Sequence, residues 1–431
     1  MGSLGVPISQ PRKKPRKRSE IVASSPLVEI TLLHRAMRLE LEAMCEVAER
    51  LDRSSEAGEV AALERRFKDF DLVFASHSSA EDDFIFPTLA SRGTSPSFPA
   101  QAAQEHEEEV ALLRSVEDAI RRKVEGGAVT LAPTFRVLKE KLSEHMLQEE
   151  EVVFPLLASF PSAELANLVG LVMGSRPSEV LEATIRMEVT HLDKDHARHV
   201  LATMCDVARK TNFRSWLDAK FGNGFAKAPP ARSPSSSPPA AGQCPYYGHA
   251  TRIVAPCCGA LVCCKRCHDA ERQCPAKMDA RRVTAMRCAA CGADQPLAET
   301  CAYCATKVAT YFCDLCKLLD STNTPTFHCP FCMCCRRGNG LGVDYVHCMA
   351  CNHCVSIEHI SSHFCQADTA TTCAICRRTL FASFEHVDLL PCGHPKHGDC
   401  YLQPHVACAH CAAAAAAAAA APVDSQPSGV L

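Results

Sequence analysis

His77 and Glu81 stand four residues apart, and so do His145 and Glu149. On a helix that spacing sets both side chains on one face, a turn apart, where both can reach one metal centre. The two pairs sit in matching frames, His77-x-x-x-Glu81-x-x-x-x-Phe86-Pro87 and His145-x-x-x-Glu149-x-x-x-x-Phe154-Pro155. Each is preceded by one further histidine, His34 and His106. Four imidazoles and two carboxylates inside a four-helix bundle describe a carboxylate-bridged dinuclear site, most naturally di-iron. Glu81 and Glu149 would bridge, and the histidines would cap each iron. A single such pair would read as a solvated helix face; the duplicated frame with its matched histidines favours the metal. Glu107, Glu108, Glu150 and Glu151 read as solvated neighbours, and each Phe-Pro pair as a helix stop.

The second chemistry is that of sulfur. Of 29 cysteines, 27 fall between Cys244 and Cys411, mostly as Cys-x-x-Cys pairs mixed with histidines. Cysteines at this spacing in a reducing compartment read as metal ligands rather than as a secreted disulfide scaffold. The last eight ligands run Cys373-x-x-Cys376, then Cys392-x-His394-x-x-His397-x-x-Cys400, then Cys408-x-x-Cys411. Eight soft ligands in that order supply two tetrahedral zinc sites. Upstream, Cys313, Cys316, His328, Cys329, Cys332, Cys335, His347, Cys348, Cys351, Cys354, His363 and Cys365 form a set of twelve, enough for three zincs. Cys244, Ala255-Pro-Cys257-Cys258, Cys264-x-x-Cys267-His268, Cys288-x-x-Cys291 and Cys301-x-x-Cys304 make a third cluster. Cys263 and Cys334 are surplus to these patterns.

The elements that must hold these ligands follow from composition. A length of 431 residues suggests about three domains. Residues 1–26 form a basic arm, in which Pro11 to Arg18 reads either as a nuclear-localisation signal or as a solvated tail. Residues 27–160 alternate helical apolar patterns with short breakers, and residues 161–227 continue as a helical extension without obvious ligands. Residues 228–243 are a Pro/Ser/Ala linker unable to form a core. The cysteine block is poor in long apolar runs, so zinc must replace the missing core. Ten alanines, 412–421, open a low-complexity tail over 413–431. The fold class is therefore multidomain, an N-terminal all-α four-helix bundle followed by small zinc-stabilised modules. A net charge of −3 argues for no nucleic acid or membrane partner. The polar, then basic, opening residues do not read as a secretory signal.

The final eight-ligand run resembles a RING finger (368–412). The His/Glu constellation resembles the haemerythrin family in its HHE variant, which implies a bundle binding two irons and reporting iron or oxygen. Residues 244–308 resemble the CHY zinc finger, and 309–367 its companion CTCHY finger. The CHY resemblance implies the ligands Cys244, Cys257, Cys258, Cys264, Cys267, His268, Cys274, Cys288, Cys291, Cys301 and Cys304. This order of modules resembles the plant and algal haemerythrin–RING ligases of the BRUTUS type, which restrain the iron-deficiency response. The chain departs from that group by having one haemerythrin domain and no zinc ribbon after the RING. It also departs inside the CHY finger. Tyr246 stands where the family has a ligand histidine and Thr251 where it has a cysteine, Cys274 takes the place of a family histidine, and His249 is a candidate substitute.

The resemblance implies an iron-responsive ubiquitin ligase that promotes degradation of transcription factors of the iron response. It implies the nucleus as compartment, with the cytoplasm as second choice. Its partners would be a ubiquitin-conjugating enzyme and protein substrates. A RING supplies no covalent nucleophile; it positions the conjugating enzyme's thioester. Ile375 is the expected apolar contact, with Leu389, Leu390 and Pro391 as extensions, unless these residues only pack the zinc knuckle. The last pair, Cys408-Ala-His-Cys411, lacks the usual proline, and Ala412 stands where active RINGs often carry a basic residue. The alternative is a non-catalytic iron- or oxygen-sensing scaffold with a weakened RING.

Overall fold

The computed structural model describes residues 27–54, 57–93, 97–222, 242–270, 274–361, 363, 373–377, 387–390, 394–397, 400, 408 and 411. The basic arm, most of the Pro/Ser linker, the polyalanine tail, Cys365, Pro391 and Cys392 lie outside them, as do the side chains of Leu389 and His397. The described residues fall into two compact units. One comprises residues up to 169 together with 180–204, and the other comprises 170–179 together with residues from 205 onward.

The first unit is built on four long helices. Helix α1 (Val28–Arg53) buries Leu33, His34, Met37, Leu41, Met44, Ala48 and Leu51, a three-and-four spacing that makes one apolar stripe. The chain returns through α2 (Ala57–Ala80), a π-helical turn (Glu81–Ile85) and α3 (Phe86–Ser91). Helices α4 (Ser97–Val124) and α5 (Ala132–Leu157) complete the bundle. Helix α1 packs on α5 and α2, and α4 packs on α2 and α5, so every helix meets two others around a core of Phe67, Phe70, Phe74 and Phe135. The Asp52 carboxylate closes the N-terminus of α5, accepting hydrogen bonds from the backbone N–H groups of Leu131 (2.7 Å) and Ala132 (2.9 Å). These donors have no partner within the helix.

The Phe-Pro pairs do not end their helices as the sequence suggests. Pro155 lies inside α5, near its C-terminus. In the first repeat, the Phe86 N–H reaches back five residues to the Glu81 carbonyl, and the widened turn carries the helix on through Pro87. A proline lacks the N–H for an i→i−4 bond, and either a wider turn or proximity to the helix end removes the need for it. Helices α6 (Ser162–Gly174), α7 (Ser178–His191), α8 (Lys194–Val207) and α9 (Phe213–Phe221) follow. The helical extension is therefore divided between the two units. In the first unit, His191 and Arg66 pair with the buried Glu40 of α1.

The second unit has little helix. Strands β1 (Arg252–Val254), β2 (Leu261–Val262), β3 (Ala285–Arg287) and β4 (Asp294–Pro296) form an antiparallel sheet in the order β2-β1-β3-β4. The short helix α10 (Lys265–Ala270) lies beside β2. Three two-stranded hairpins follow: β5 (Tyr311–Cys313) with β6 (Leu318–Asp320), β7 (Thr326–Cys329) with β8 (Cys334–Arg337), and β9 (Tyr345–Cys348) with β10 (His353–Ser356). After the single turn α11 (Ile357–Ile360), β11 (Val387–Leu389) pairs with β12 (Pro395–His397). Helix α9 docks in this unit: Phe213 stacks on Phe331 at 5.4 Å between ring centres, and Phe331 packs on His347 at 5.0 Å. The Asn212 N–H donates to the Phe331 carbonyl at 2.9 Å. Gly174, at the end of α6, runs so close to the His347 carbonyl that a Cβ there would overlap it. Among the described residues no helix is long and apolar enough to cross a membrane.

Candidate metal centres

The bundle brings His34, His77, Glu81, His106, His145 and Glu149 together, each at most 6 % exposed. Each carboxylate reaches toward both ends of the cluster. Glu149 Oε2 lies 3.4 Å from His34 Nε2 and 3.5 Å from His77 Nε2, while its Oε1 lies 3.1 Å from His145 Nε2. Glu81 Oε1 lies 3.2 Å from His77 Nε2, and its Oε2 lies 3.5 Å from His106 Nε2. The histidines thus divide into His34/His77 at one end and His106/His145 at the other, with both carboxylates spanning them. Buried Glu81 Oε2, His106 Nε2, His145 Nε2 and both Glu149 oxygens have no hydrogen-bond partner. Buried polar atoms without partners are costly, and a metal pair would satisfy all of these at once. The donor set fits two irons, which His34, His77, His106, His145, Glu81 and Glu149 would hold.

The charge state follows from the same geometry. Burial and the adjacent Glu149 carboxylate both push the Glu81 carboxyl well above its ordinary range. Burial would raise Glu149 too, but the close His145 and His77 imidazoles outweigh it and hold that carboxyl well below its usual value. Burial disfavours the His145 imidazolium, yet the Glu109 and Glu149 carboxylates raise its pKa to about 10.

Three of the histidines are also held from behind. His34 Nδ1 lies 3.1 Å from Glu150, which also accepts from Arg38 at 2.8 Å. His106 Nδ1 lies 3.1 Å from Asp82, and His145 Nδ1 lies 3.1 Å from Glu109. Such partners fix the ring's tautomer and orientation and raise its basicity as a ligand. Glu150 is accordingly half-buried and engaged rather than solvated, since its helix neighbour Glu149 brings it to the rim of the site. Glu109 was hidden in the run Glu107-Glu108-Glu109. Only the third of these lies one turn from His106, on the inward face, and it is buried while the other two are exposed. The two copies also cross: Phe154 of the second packs on His34 of the first (5.3 Å between centres), and Phe86 of the first on His106 of the second (6.2 Å).

In the second unit, sulfur and imidazole groups converge at tetrahedral spacing. Zinc–sulfur bonds of about 2.3 Å imply sulfur–sulfur edges of about 3.8 Å. Cys257, Cys258, His268 and Cys274 form one cluster, with His268 Nε2 at 3.2 and 3.5 Å from the first two sulfurs. Cys288, Cys291, Cys301 and Cys304 form another, with cross distances of 3.7 and 3.6 Å. Cys244, Cys264 and Cys267 converge at 3.6 to 3.9 Å. The hydrogen bond from Cys264 chiefly lowers the buried Cys244 thiol to about 3, and the nearby His249 ring lowers it further.

The hairpin ladder interleaves its ligands. Cys313, Cys316, His328 and Cys335 gather in one cluster, and Cys329, Cys332, His347 and Cys354 in the next. Cys348 and Cys351 meet His363, which lies 3.4 Å from the Cys351 sulfur. Successive strand residues point to opposite faces. His328 and Cys329 on β7 therefore serve adjacent clusters, as do His347 and Cys348 on β9. The surplus Cys334 is buried on β8, beside Arg336. Three thiolates and one imidazole around a zinc leave one net negative charge, and the buried Arg336 guanidinium stands 3.6 Å from the Cys332 sulfur to balance it.

Of the last module, the described ligands divide in crossed fashion. Cys373, Cys376 and Cys400 pack together, and Cys411 lies 3.5 Å from His394 Nδ1. Ile375 is half-buried against both groups. Leu390 is buried with Ala374 and Cys408, a packing position rather than an exposed contact.

Residues 25–157 match the Hemerythrin HHE cation binding domain, and residues 244–311 match the CHY zinc finger. The chain therefore carries a haemerythrin-type cation-binding domain and a CHY-type zinc finger, followed by further cysteine-rich clusters suited to zinc. It is 24 % identical to the zinc finger protein BRUTUS of Arabidopsis thaliana over 78 % of its own length and 37 % of that protein's. It is 38 % identical to a BRUTUS-like zinc finger protein of the same plant over 39 % of its length and 14 % of that relative's. It is 34 % identical to the E3 ubiquitin-protein ligase SRFP1 of Oryza sativa subsp. japonica over 37 % of its length and 61 % of that protein's. The chain thus spans well under half the length of the BRUTUS-type relatives.

Proposed function

We propose that this chain is an iron-responsive RING-type ubiquitin ligase. The observation that carries the reading is the presence in one chain of a buried His4Glu2 cluster and of cysteine–histidine modules similar to those of proteins named as ubiquitin ligases. The RING would hold a ubiquitin-loaded conjugating enzyme, with Ile375 as the apolar contact. Its chemistry would be positioning, since no nucleophile is required. The substrates would be transcription factors of the iron-deficiency response, marked for degradation in the nucleus, with the basic arm directing entry. The iron site would act through folding, because binding free energy at such a site is folding free energy.

The test is chain formation by the purified full-length protein with conjugating enzyme, with and without iron. Activity that depends on His394 and weakens in Ile375→Ala supports the assignment. Undiminished activity in His394→Ala overturns it, and equal rates with and without iron remove the regulatory part. A second reading, a non-catalytic iron- or oxygen-sensing scaffold, is favoured by the residues Ala409, His410 and Ala412 around the last ligands. Absence of any chain formation, with conjugating-enzyme binding retained, would select it.

A further inference from the structure

We propose that His249 is the fourth ligand of a zinc site completed by Cys244, Cys264 and Cys267. The three sulfurs form a triangle with edges of 3.6, 3.9 and 3.6 Å, close to one face of a zinc tetrahedron. A structural zinc needs a fourth donor, and the sequence places Tyr246 where the family pattern expects it. Tyr246 is engaged elsewhere, because its ring lies beneath the Arg266 guanidinium, 4.2 Å from the ring centre.

His249 is placed to substitute. The turn that follows Cys244 is closed by two backbone bonds, Gly248 N–H to the Cys244 carbonyl (2.8 Å) and Cys244 N–H to the His249 carbonyl (2.7 Å). Cys288 is followed by the same turn, with bonds from Gly292 N–H to Cys288 and from Cys288 N–H to Ala293. Gly248 takes a positive φ of 68° to make it. In the Cys288 turn the second ligand, Cys291, precedes the glycine. In the Cys244 turn that place is held by the buried Tyr247, and a ligand type appears two residues on instead. His249 is 3 % exposed, its Nδ1 bonds the Thr251 carbonyl at 3.1 Å, and its Nε2 is buried without a hydrogen-bond partner beside Cys244. One ring nitrogen anchored on a carbonyl and the other left free beside the Cys244 sulfur is the usual posture of a zinc-bound histidine.

Cys263 is the competing donor, since its sulfur also lies near Cys244 and Cys267. It is engaged by the Arg252 guanidinium, and Cys264, its immediate neighbour, already occupies the corner on that side. The site is independent of the ligase reading.

The experiment measures zinc per full-length chain and the absorption of the cobalt-substituted protein. His249→Ala should lose about one zinc equivalent, and Cys263→Ala none. His249→Cys should keep the metal and gain thiolate-to-cobalt charge-transfer intensity. It also serves as the readout if the alanine variant does not fold. Full zinc in His249→Ala, loss of zinc in Cys263→Ala instead, or an unchanged cobalt spectrum in His249→Cys would each overturn the assignment.

Discussion

The Glu109 carboxylate, with no exposed surface, lies 3.1 Å from Nδ1 of His145, on the side of the ring away from the metal cluster. Helix period sets it one turn beyond His106, and the packing of α4 against α5 brings it to the His145 ring. Removing such a partner typically weakens metal binding by about 10- to 100-fold. Glu109→Gln should therefore lower iron affinity within that range without removing a direct ligand. An iron titration with a competing chelator would read it, and wild-type affinity would leave Glu109 as a packing residue.

Glu81 and Glu149 each reach both histidine pairs, whereas His34 reaches one end only. Glu81→Ala should abolish binding of both irons, while His34→Ala should retain some iron at the His106/His145 end. Iron content per chain distinguishes these outcomes. Equal losses would show that the carboxylates do not bridge.

Removing iron leaves buried carboxylate oxygens and imidazole nitrogens without partners at the middle of the bundle. Uncompensated buried polar groups cost about 1–3 kcal/mol each. Iron-chelated protein should become protease-sensitive between residues 27 and 160 while its zinc content stays constant. Identical digestion patterns with and without iron would exclude the folding switch.

His328 and Cys329 are adjacent, yet the strand sends them to different clusters. Single alanine substitutions should each remove about one zinc, and the double variant about two. A double variant that loses no more than either single one would show that the two residues serve one site.

Gly174 approaches the His347 carbonyl too closely for a side chain. Gly174→Ala should destabilise the hairpin ladder by about 1–3 kcal/mol, the usual cost of forcing atoms into a packed contact. A lower denaturation midpoint, with zinc lost earlier in the transition, is the expected result.

The six histidines and glutamates that converge in the bundle, and most of the cysteine–histidine clusters, were legible in the sequence because local spacing encodes them. A helix puts i and i+4 on one face, and a zinc knuckle needs its pair within three or four residues. The bundle was legible for the same reason, through the three-and-four recurrence of apolar residues in segments such as 28–53. Tertiary structure decided what depends on residues far apart. It paired His34 with His77 and crossed Phe154 onto His34, contacts between helices that no local period fixes. It turned Glu150 and Glu109 inward from runs of like residues, and it buried Leu390. It also carried the helix through Pro87, because a register shift that begins at Glu81 depends on the packing of the whole bundle and not on the Phe-Pro dipeptide alone.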